Sequence, residues 1–572
     1  MSFFRLPLAC LLVMSVAGAI PRTTQPPVIF INGFEFSCPG GGFTGTFGNI
    51  AQFLALDSRT AVFFDTCNCR GCSIDQHAKK FTDDLAALRY DDGAPVDLVD
   101  VVAHSMGGLI VRAYLSGKTG FNPGVFLPPP DPKIRKLIFV ATPHFGLSSF
   151  VIDTETRQLQ LGSDFIWQLA TWNQGTDDLR GVDAMALAGN GGSSRNNGGY
   201  DDGVVPVTSA SLSFIADSSR TRVIPYCHNS GFPLVIECRS SAAHIAKMDS
   251  PSHPTAVAIR SFLAGTSDWQ RVGQSAAEDP ILSRNGGLVT SPRDAGDKQV
   301  ALTGVRAVGQ SDASQSYTFS TNTANVYFRE FMVPQQYTMT FQSSAPAVQA
   351  SINVPGGGMR AVPVKLSPSI ARVYPSAAAL NFLSLAPGML ISIYGVDLAS
   401  STVLLNGQTL QVLYNSNVQI NAVLPSNFTS LAKLLVRNAK GEHAVNVMIE
   451  AAVPAIFSLD ASGTGPAAAT NAVTGTVIGA QNPIRAGQFV ALYATGLGDT
   501  ERRGSLDFAR STPTAGIAGV PARVVFAGRA PGFVGLDQIN VEVPAGIAAN
   551  PAAPVSLTVG RRTSNIVTVA IQ

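Results

Sequence analysis

The sequence predicts a mostly parallel sheet with helices on both faces, followed by all-β sandwich modules. Apolar strand segments alternate with helical segments over residues 27–265, which is typical of a parallel sheet. After about residue 266, period-2 strands and glycine turns replace this alternation. The chain of 572 residues is also too long for a single core. The expected domains after an N-terminal leader are 20–265, 266–370, 371–457 and 458–572.

Short local patterns predict each element of the first of these domains. The predicted strands are Val28–Ile31, Ala61–Phe64, Val96–Val102, Lys136–Val140 and Arg222–Ile224. Ser73 and Gln76 form a capping box that begins a helix, and a second helix over Pro254–Leu263 closes the domain. Residues 147–199 carry no strand pattern but contain several aromatic side chains, so we expect a cap over the strand ends.

The first 19 residues have the pattern of a secretory signal peptide. Arg5 is the only charge, Leu6–Ile20 is apolar, and Ala17-Gly18-Ala19 is a small-residue cleavage site. We therefore expect the protein to be secreted, either free or at the cell surface. No second membrane segment is predicted, and a net charge of +2 with 14% charged residues argues against nucleic acid as a partner.

The cysteine pattern fits an exported protein. Six cysteines follow the leader: Cys38, Cys67, Cys69, Cys72, Cys227 and Cys238. An even number outside a reducing compartment predicts disulfides, although six cysteines allow 15 pairings and the sequence does not choose among them. A metal at Cys67, Cys69 and Cys72 is the alternative.

The segment Ala103-His104-Ser105-Met106-Gly107 lies between a buried strand and an amphipathic helix. This order predicts a sharp strand-to-helix turn with Ser105 at its apex, as in the motif G-x-S-x-G. The turn would present the Ser105 hydroxyl as a nucleophile. The Met106 N–H would face a developing oxyanion, and Phe34, after the first strand, is expected to supply the second N–H of this oxyanion hole.

A nucleophilic serine needs a histidine base and an acid that orients the histidine. On this kind of sheet the partners follow in the order serine, acid, histidine. We expect His244 as the base because it lies in a loop just before the closing helix, with His228 and His253 as alternatives.

The expected acid is Asp202, which precedes glycine and two valines, and the adjacent Asp201 is its alternative. A Ca²⁺ ion near the Asp201 loop stays open, but the sequence specifies no ligands for one. No cofactor and no metal are therefore predicted.

The C-terminal part contains an internal repeat. Residues 387–395 resemble 486–494, and the segment that begins at Gln419-Ile420-Asn421 resembles the one that begins at Gln538-Ile539-Asn540. Two shared blocks in the same order predict two copies of one β unit.

Residues 20–265 resemble the secreted lipases and esterases of the α/β-hydrolase family. The matching motifs are Asn32-Gly33-Phe34, Ala103-His104-Ser105-Met106-Gly107-Gly108, Ala141-Thr142-Pro143-His144-Phe145-Gly146, Asp202-Gly203-Val204-Val205-Pro206 and His244. Asn32 stands where the family usually has histidine, and Ala103 replaces the usual glycine. The resemblance implies a Ser105–Asp202–His244 triad, a structural role for His144 and the hydrolysis of carboxylic esters. The apolar, aromatic segment 147–199 is where we expect a lid and an acyl pocket, which favours an ester with an apolar acyl chain over a peptide.

Residues from about 371 onward resemble the Ig-like C-terminal modules of secreted acidobacterial proteins. The matching segments are Val453-Pro454-Ala455-Ile456-Phe457, Tyr493-Ala494-Thr495-Gly496-Leu497-Gly498 and Gln538-Ile539-Asn540-Val541-Glu542-Val543-Pro544. Such modules could contact a surface or a polymer. The alternative hypotheses are a surface-binding or matrix-binding protein with an inactive hydrolase domain, or an acyltransferase or peptidase on the same fold.

Overall fold

The computed structural model describes most of the chain. The described residues are 12–13, 20–35, 44–69, 71–120, 124–147, 153–173, 179–192, 200–215, 218–228, 243–276, 278–280, 282, 284–293, 299–321, 325–342, 348–354, 356–365, 368–378, 384–426, 428, 430–439 and 441–572.

The N-terminal domain is built on one eight-stranded sheet. Its strands are β1 (Leu12–Val13), β2 (Val28–Ile31), β3 (Ala61–Phe64), β4 (Val99–His104), β5 (Ile134–Val140), β6 (Asp183–Gly189), β7 (Thr221–Ile224) and β8 (Gln274–Ser275). They lie in the order β1-β3-β2-β4-β5-β6-β7-β8, and β8 alone among them runs antiparallel to its neighbour. Every residue of β2, β3 and β4 is buried because helices cover both faces. The predicted parallel sheet is confirmed.

The helices of this domain are short. They are α1 (Thr44–Phe47), α2 (Ile50–Leu56), α3 (Ile74–Ala87), α4 (Met106–Ser116), α5 (Thr154–Gln158), α6 (Asp164–Thr171), α7 (Val207–Ala210) and α8 (Pro254–Ala264), with 3-10 turns at Thr66–Cys69, Ser218–Arg220 and Asp268–Arg271. The predicted capping box begins α3, where the Ser73 N–H donates to Gln76 Oε1 at 2.7 Å. No helix in the described part of the chain combines the length and apolarity that a bilayer crossing needs.

Strand β6 lies within residues 147–199, where the sequence showed no strand pattern. Its sequence is rich in alanine and lacks β-branched residues, so its local pattern does not favour a strand. Six of its seven residues are buried, and it pairs in parallel with both β5 and β7. The position between two strands, rather than local propensity, therefore makes this segment a strand.

Part of the predicted leader and some of the cysteines can be placed. Leu12 and Val13 pair in parallel with β3, whereas residues 1–11 and 14–19 lie outside the described residues. Cys69 and Cys72 form a disulfide, and Cys67 and Cys227 are disulfide-bonded as well. Cys38 and Cys238, for which disulfides are also predicted, lie outside the described residues.

Three β modules follow. The first contains β9 (Gly286–Thr290), β10 (Pro292–Arg293), β11 (Gly304–Gly309), β12 (Ser316–Thr318), β13 (Ser320–Thr321), β14 (Tyr327–Met332), β15 (Gln335–Gln342), β16 (Val348–Val354), β17 (Met359–Ala361) and β18 (Val364–Lys365). The second contains β19 (Ser369–Pro375), β20 (Ser384–Leu385), β21 (Leu390–Val396), β22 (Thr402–Leu405), β23 (Gln408–Thr409), β24 (Gln411–Asn415), β25 (Gln419–Val423), β26 (Ser430–Asn438) and β27 (Gly441–Ile449).

The third module contains β28 (Ala455–Ile456), β29 (Ala469–Asn471), β30 (Phe489–Thr495), β31 (Thr500–Arg503), β32 (Leu506–Ala509), β33 (Thr514–Ile517), β34 (Val520–Ala522), β35 (Val524–Arg529), β36 (Asp537–Glu542), β37 (Asn550–Val559), β38 (Arg562–Thr563) and β39 (Val567–Ile571). Each module consists mainly of two antiparallel sheets, as expected for Ig-like sandwiches.

The internal repeat has the same strand pairing in both copies. In the second module, β21 and β25 are antiparallel, with Tyr394 opposite Gln419. In the third module, β30 and β36 are antiparallel, with Tyr493 opposite Gln538. The repeated sequence blocks are therefore adjacent strands in equivalent registers.

The N-terminal domain is packed against the first two β modules. Val289 and Met359 of the first module belong to the same buried apolar cluster as helices α4 and α6. Beyond α6, Trp172 stacks on Phe126 with ring centroids 6.0 Å apart, and Met448 of the second module packs with them. Two junctions thus hold the α6 region in place.

Candidate active site

Ser105 lies at the sharp turn between β4 and α4. Its backbone has φ 53° and ψ −127°, a conformation that a non-glycine residue adopts only at a cost of roughly 1–3 kcal/mol. The turn is held because the Ser105 N–H donates to the Val140 carbonyl at 2.9 Å and the Gly108 N–H donates to the Ser105 carbonyl at 3.0 Å. The sequence pattern predicted this elbow, and the structure shows it.

Close packing explains the glycines around Ser105. A Cβ atom on Gly107 would lie 2.6 Å from the Ile31 carbonyl oxygen, and one on Gly108 would lie 2.1 Å from Thr142 Oγ1. A Cβ on Gly33 would lie 2.7 Å from Ser105 Cβ. The absence of these side chains lets β2, β5 and the turn approach one another closely.

A hydrogen-bonded chain of three side chains is present at the carboxyl edge of the sheet. His228 Nε2 lies 2.8 Å from Ser105 Oγ, and His228 Nδ1 lies 2.7 Å from Asp202 Oδ2. Because an ionised Asp202 accepts the Nδ1–H, the Nε2 lone pair is left to accept the Ser105 proton. All three side chains are buried, so water does not compete strongly for these contacts.

The Asp202 carboxylate is fixed from two directions. Its Oδ1 accepts the N–H groups of Val204 at 3.0 Å and Val205 at 2.7 Å, so Oδ2 is left facing His228. The main chain adds a further link, because the His228 N–H donates to the Asp202 carbonyl at 2.8 Å. The alternative acid, Asp201, instead accepts the Gly203 N–H at 2.9 Å.

The choice of His244 as the base is wrong, since the imidazole on Ser105 belongs to His228. Within the described residues, no hydrogen bond links the His244 side chain to Ser105 or Asp202. The main chain around His244 pairs with Cys227, and burial followed by the Lys247 charge lowers the pKa of the His244 imidazole. This pairing places His244 beside the base and not at the nucleophile.

His253, the other alternative, has a structural role. Its Nδ1 accepts the Thr255 N–H at 3.2 Å and so caps α8, while its Nε2 contacts the His244 carbonyl at 3.0 Å. These two contacts occupy both ring nitrogens. His253 therefore orders the loop around His244.

One signal in the sequence could have identified His228. It follows β7 by only four residues, and the carboxyl ends of parallel strands meet at one edge of a sheet. Ser105 follows β4 directly at that same edge. Distance from the end of a strand was therefore a better guide than the distance to the closing helix.

The loop after β2 is positioned against Ser105. Asn32 is fully buried, and its Oδ1 accepts the Thr66 hydroxyl at 3.0 Å. Its Nδ2 donates to Glu35 at 3.4 Å, and burial raises the pKa of that carboxyl. Asn32 thus anchors the loop that carries Phe34. Met106 is the first residue of α4. The N–H groups in the first turn of a helix have no acceptor within that helix, so the Met106 N–H can bind another group.

Two further histidines near the site are buried and neutral. Burial holds the pKa of His104 well below its usual value, and the His228 ring lies against it with centroids 4.8 Å apart. Burial, followed by the charge of Arg112, does the same to the pKa of His144. Arg112 donates to the His144 carbonyl at 2.6 Å, so α4 is tied to the segment after β5. This contact agrees with a structural role for His144.

The described residues show no metal-binding cluster. Nowhere in that part of the chain do three or more histidine, cysteine, aspartate or glutamate side chains come together as a possible ion site. The disulfide between Cys69 and Cys72 leaves neither thiol available as a metal ligand, which argues against the alternative of a metal at this cluster.

Comparisons with known proteins yield distant structural likenesses. The phospholipase PlaB from Legionella pneumophila, also solved with thio-NAD, matches with a TM-score of 0.41 and 14% identity over 60% of this chain and 95% of its own. A Bacteroides ovatus SGBP-B, in complex with a mixed-linkage heptasaccharide, matches with a TM-score of 0.21 and 13% identity over 50% of this chain and 66% of its own. The titin fragment I67–I69 matches with a TM-score of 0.13 and 8% identity over 50% and 97%.

No family model matches the sequence, and no curated protein matches it. The structural likenesses are too weak to carry a functional argument. The fold is a mostly parallel α/β domain followed by modules of mainly antiparallel β-sheet, and any function has to be argued from the side chains themselves.

Proposed function

We propose that the protein is a secreted serine ester hydrolase, a lipase or carboxylesterase, that uses Ser105, His228 and Asp202. The observation that carries this proposal is the pair of contacts from His228, 2.8 Å to Ser105 Oγ and 2.7 Å to Asp202 Oδ2. Nucleophile, base and orienting acid stand in the order and at the distances that acyl transfer requires.

The reaction proceeds in two halves. Ser105 Oγ attacks the ester carbonyl while His228 Nε2 takes its proton, and the tetrahedral intermediate then collapses as His228 protonates the departing alcohol. In the second half, water loses a proton to His228 and attacks the acyl-enzyme, which releases the carboxylic acid and returns the proton to Ser105. Asp202 stabilises the imidazolium in both halves without taking up its proton.

The oxyanion of each intermediate would be bound by the N–H groups of Phe34 and Met106. The close contact of Gly33 with Ser105 brings the Phe34 loop to the nucleophile, and Met106 begins the adjoining helix. Loss of one such donor costs roughly 3–4 kcal/mol of transition-state stabilisation.

The substrate would be an ester with an apolar acyl chain. Phe34 follows Gly33, which lies against Ser105, and Val204 lies two residues after Asp202, which contacts His228. Both side chains are apolar and partly buried. Helix α6 contributes less to an acyl pocket than the sequence suggested, because Phe165, Ile166 and Leu169 are buried in the domain core. The Cys69–Cys72 disulfide fits an exported protein, because disulfides persist mainly outside the cytosol. The β modules would contact a surface or a polymer.

The test uses four forms of the full chain: the unchanged protein, Ser105→Ala, His228→Ala and the matched control His244→Ala. We expect a fluorophosphonate probe to label the unchanged protein and His244→Ala but neither of the other two. Hydrolysis of p-nitrophenyl esters of increasing acyl length should fall about 10⁴-fold or more in Ser105→Ala and His228→Ala, and only a few-fold in His244→Ala.

Turnover that persists in folded Ser105→Ala would refute the mechanism. An equal loss in His244→Ala and His228→Ala would refute the assignment of the base. Folded, unlabelled, inactive wild-type protein would favour a binding protein with an inert hydrolase domain.

A further inference from the structure

The segment 200–207 carries Asp202 and is closed at its base, and we call it the acid loop. The Val207 N–H donates to the Tyr200 carbonyl at 2.9 Å, so the first and last residues of the loop are joined. Helix α7 begins at Val207, which places Thr208 directly after the loop. The position of the Asp202 carboxylate therefore depends on what holds these two ends.

Two consecutive residues of the first β module contact the two ends of the acid loop. Thr208 is fully buried, and its hydroxyl donates to Glu330 Oε1 at 3.2 Å. The Phe331 ring packs against the Tyr200 ring, with centroids 6.5 Å apart and an angle of 61° between the planes. Glu330 and Phe331 both lie in β14, whose sheet is separate from that of the N-terminal domain. The acid loop is therefore held from outside its own domain.

A β-bulge interrupts β14 at these two residues. Where β14 pairs with β9, the register shifts between Arg329 and Met332, so β14 contains one extra residue. Phe331 has φ 56°, a conformation that costs a non-glycine residue roughly 1–3 kcal/mol. Bulges are frequent beside functional sites, where they change the direction of a side chain. Here the bulge and its strain occur where the strand meets the acid loop.

Glu330 is an acid in surroundings that disfavour its charge. Burial raises the pKa of the Glu330 carboxyl, and the charge of Asp201 adds to this effect. The Thr208 hydrogen bond and the charge of Arg329 act in the opposite direction. A perturbed carboxyl next to a candidate site is more often functional than one on an open surface. The hydrogen bond to Thr208 is the contact that connects this carboxyl with the acid loop.

We propose that Glu330 is a positioning residue of the active site, so that the first β module completes the hydrolase. Glu330 holds Thr208, Thr208 fixes the end of the acid loop, and the loop keeps Asp202 Oδ2 on the Nδ1–H of His228. Catalytic groups have to be held to within about 0.5 Å of their productive geometry. This inference rests on the proposed hydrolase function, and it gives a task to the module at 266–370.

The test compares ester hydrolysis by the full chain, unchanged, as Glu330→Ala and as Glu330→Gln. Gln keeps an oxygen that can accept the Thr208 hydroxyl, whereas Ala does not. We expect kcat to fall about 10-fold to 100-fold in Glu330→Ala with little change in KM, and to stay within about 3-fold in Glu330→Gln. In Glu330→Ala the acid limb of the pH profile of kcat/KM should move to lower pH, because a loosely held Asp202 stabilises the imidazolium of His228 less.

Thr208→Val removes the same hydrogen bond from the other side. It should lower kcat by a similar factor, and the double variant with Glu330→Ala should lose no more than either single one, because residues that share one interaction are not additive. Asp312→Ala is the matched control. Asp312 is an exposed acid of the same module and accepts the Ser314 hydroxyl at 2.6 Å, so its kcat should equal that of the unchanged protein.

A second measurement does not depend on turnover. The low-field proton NMR signal of the His228 Nδ1–H should be sharp in the unchanged protein and in Glu330→Gln, and should broaden in Glu330→Ala as exchange with water becomes faster. This pattern in a protein that hydrolyses no ester would support the positioning role and refute only the hydrolase function. An unchanged signal in Glu330→Ala would overturn the inference, and so would equal losses of kcat in Glu330→Ala and Glu330→Gln or in Asp312→Ala.

Discussion

The N-terminal domain and the third β module each contain a completely buried aspartate, Asp202 in the first and Asp537 in the second, and the two have different surroundings. Asp202 and Asp537 are both 0% exposed. Asp202 contacts an imidazole that reaches Ser105, whereas Asp537 pairs with Arg529 and accepts the Leu497 N–H at 2.9 Å. A buried carboxylate is therefore not evidence of chemistry by itself. Its partner decides whether it can assist a proton transfer or only holds strands together.

The two sheet types explain this difference. The parallel strands β4, β6 and β7 bring their carboxyl ends to one edge, so residues far apart in sequence meet there. In the antiparallel modules, neighbouring strands run in opposite directions, so their carboxyl ends lie at opposite edges of the sheet. The buried polar groups there form hydrogen bonds with loops and with the segments that join strands. Four predictions test how far this contrast extends.

Replacing each of the two buried aspartates by asparagine should affect a different property, activity for Asp202 and stability for Asp537. In Asp202→Asn, the imidazole is no longer held in the useful tautomer, so ester turnover should fall about 10⁴-fold with little change in the unfolding midpoint. Asp537→Asn should leave kcat unchanged and alter only the stability of its own module. Steady-state kinetics and denaturant unfolding of both variants measure this, and a common loss of activity would remove the distinction.

Acid should destabilise the second β module through His443. Burial lowers the pKa of His443 to about 3, so the unfolded chain takes up its proton first as the pH falls below about 6.5. The free energy of unfolding is therefore unaffected by His443 above about pH 6.5 and falls as the pH is lowered toward 3. The loss at pH 4 is about 3 kcal/mol. Urea unfolding at pH 7 and pH 4 should show this loss in the unchanged protein but not in His443→Asn.

A glycine at the elbow should be less replaceable than one in a module loop. A Cβ on Gly108 would lie 2.8 Å from the Phe139 ring as well as 2.1 Å from Thr142, whereas one on Gly479 meets nothing within 4 Å. Gly108→Ala should therefore lower the free energy of unfolding by about 1–3 kcal/mol, and Gly479→Ala should change it by less than about 0.5 kcal/mol. Equal effects on urea unfolding would show that the elbow can relax.

The smallest effect is expected at two arginine ion pairs. Arg562 lies 2.6 Å from Glu450 with both side chains about four-fifths buried, whereas Arg437 and Glu442 are about half exposed. Arg562→Ala should cost about 1.5–3 kcal/mol, and Arg437→Ala less than about 1 kcal/mol. Thermal unfolding at low and high salt provides the measurement. A larger loss in Arg437→Ala would contradict this ranking.

The sequence was a reliable guide where the physical signal is local. The apolar run before Ser105, the capping box at Ser73 and Gln76, and the repeated β strands each carry their own pattern, and each forms as predicted. Strand β6 was missed because alanine and glycine carry little strand preference, and its conformation depends on its two neighbours.

The base was misassigned for a related reason. His228 and His244 both follow Asp202 in sequence, so the order of the triad could not separate them. What separates them is the pairing of the main chain at Cys227 with that at His244, which exists only in three dimensions. Ser105 and Asp202, by contrast, lie in short motifs, and the sequence of each motif predicts its local geometry.

The contact of Asn173 with the second module has a practical consequence. Asn173 Oδ1 accepts the Met448 N–H at 2.8 Å, with Trp172 and Phe126 packed beside it. A fragment that stops near residue 265 would uncover this tryptophan and also lose the core contacts of Met359. The N-terminal domain is thus poorly suited to expression as an isolated unit, and recombination between relatives should favour breakpoints farther along the chain, past residue 449.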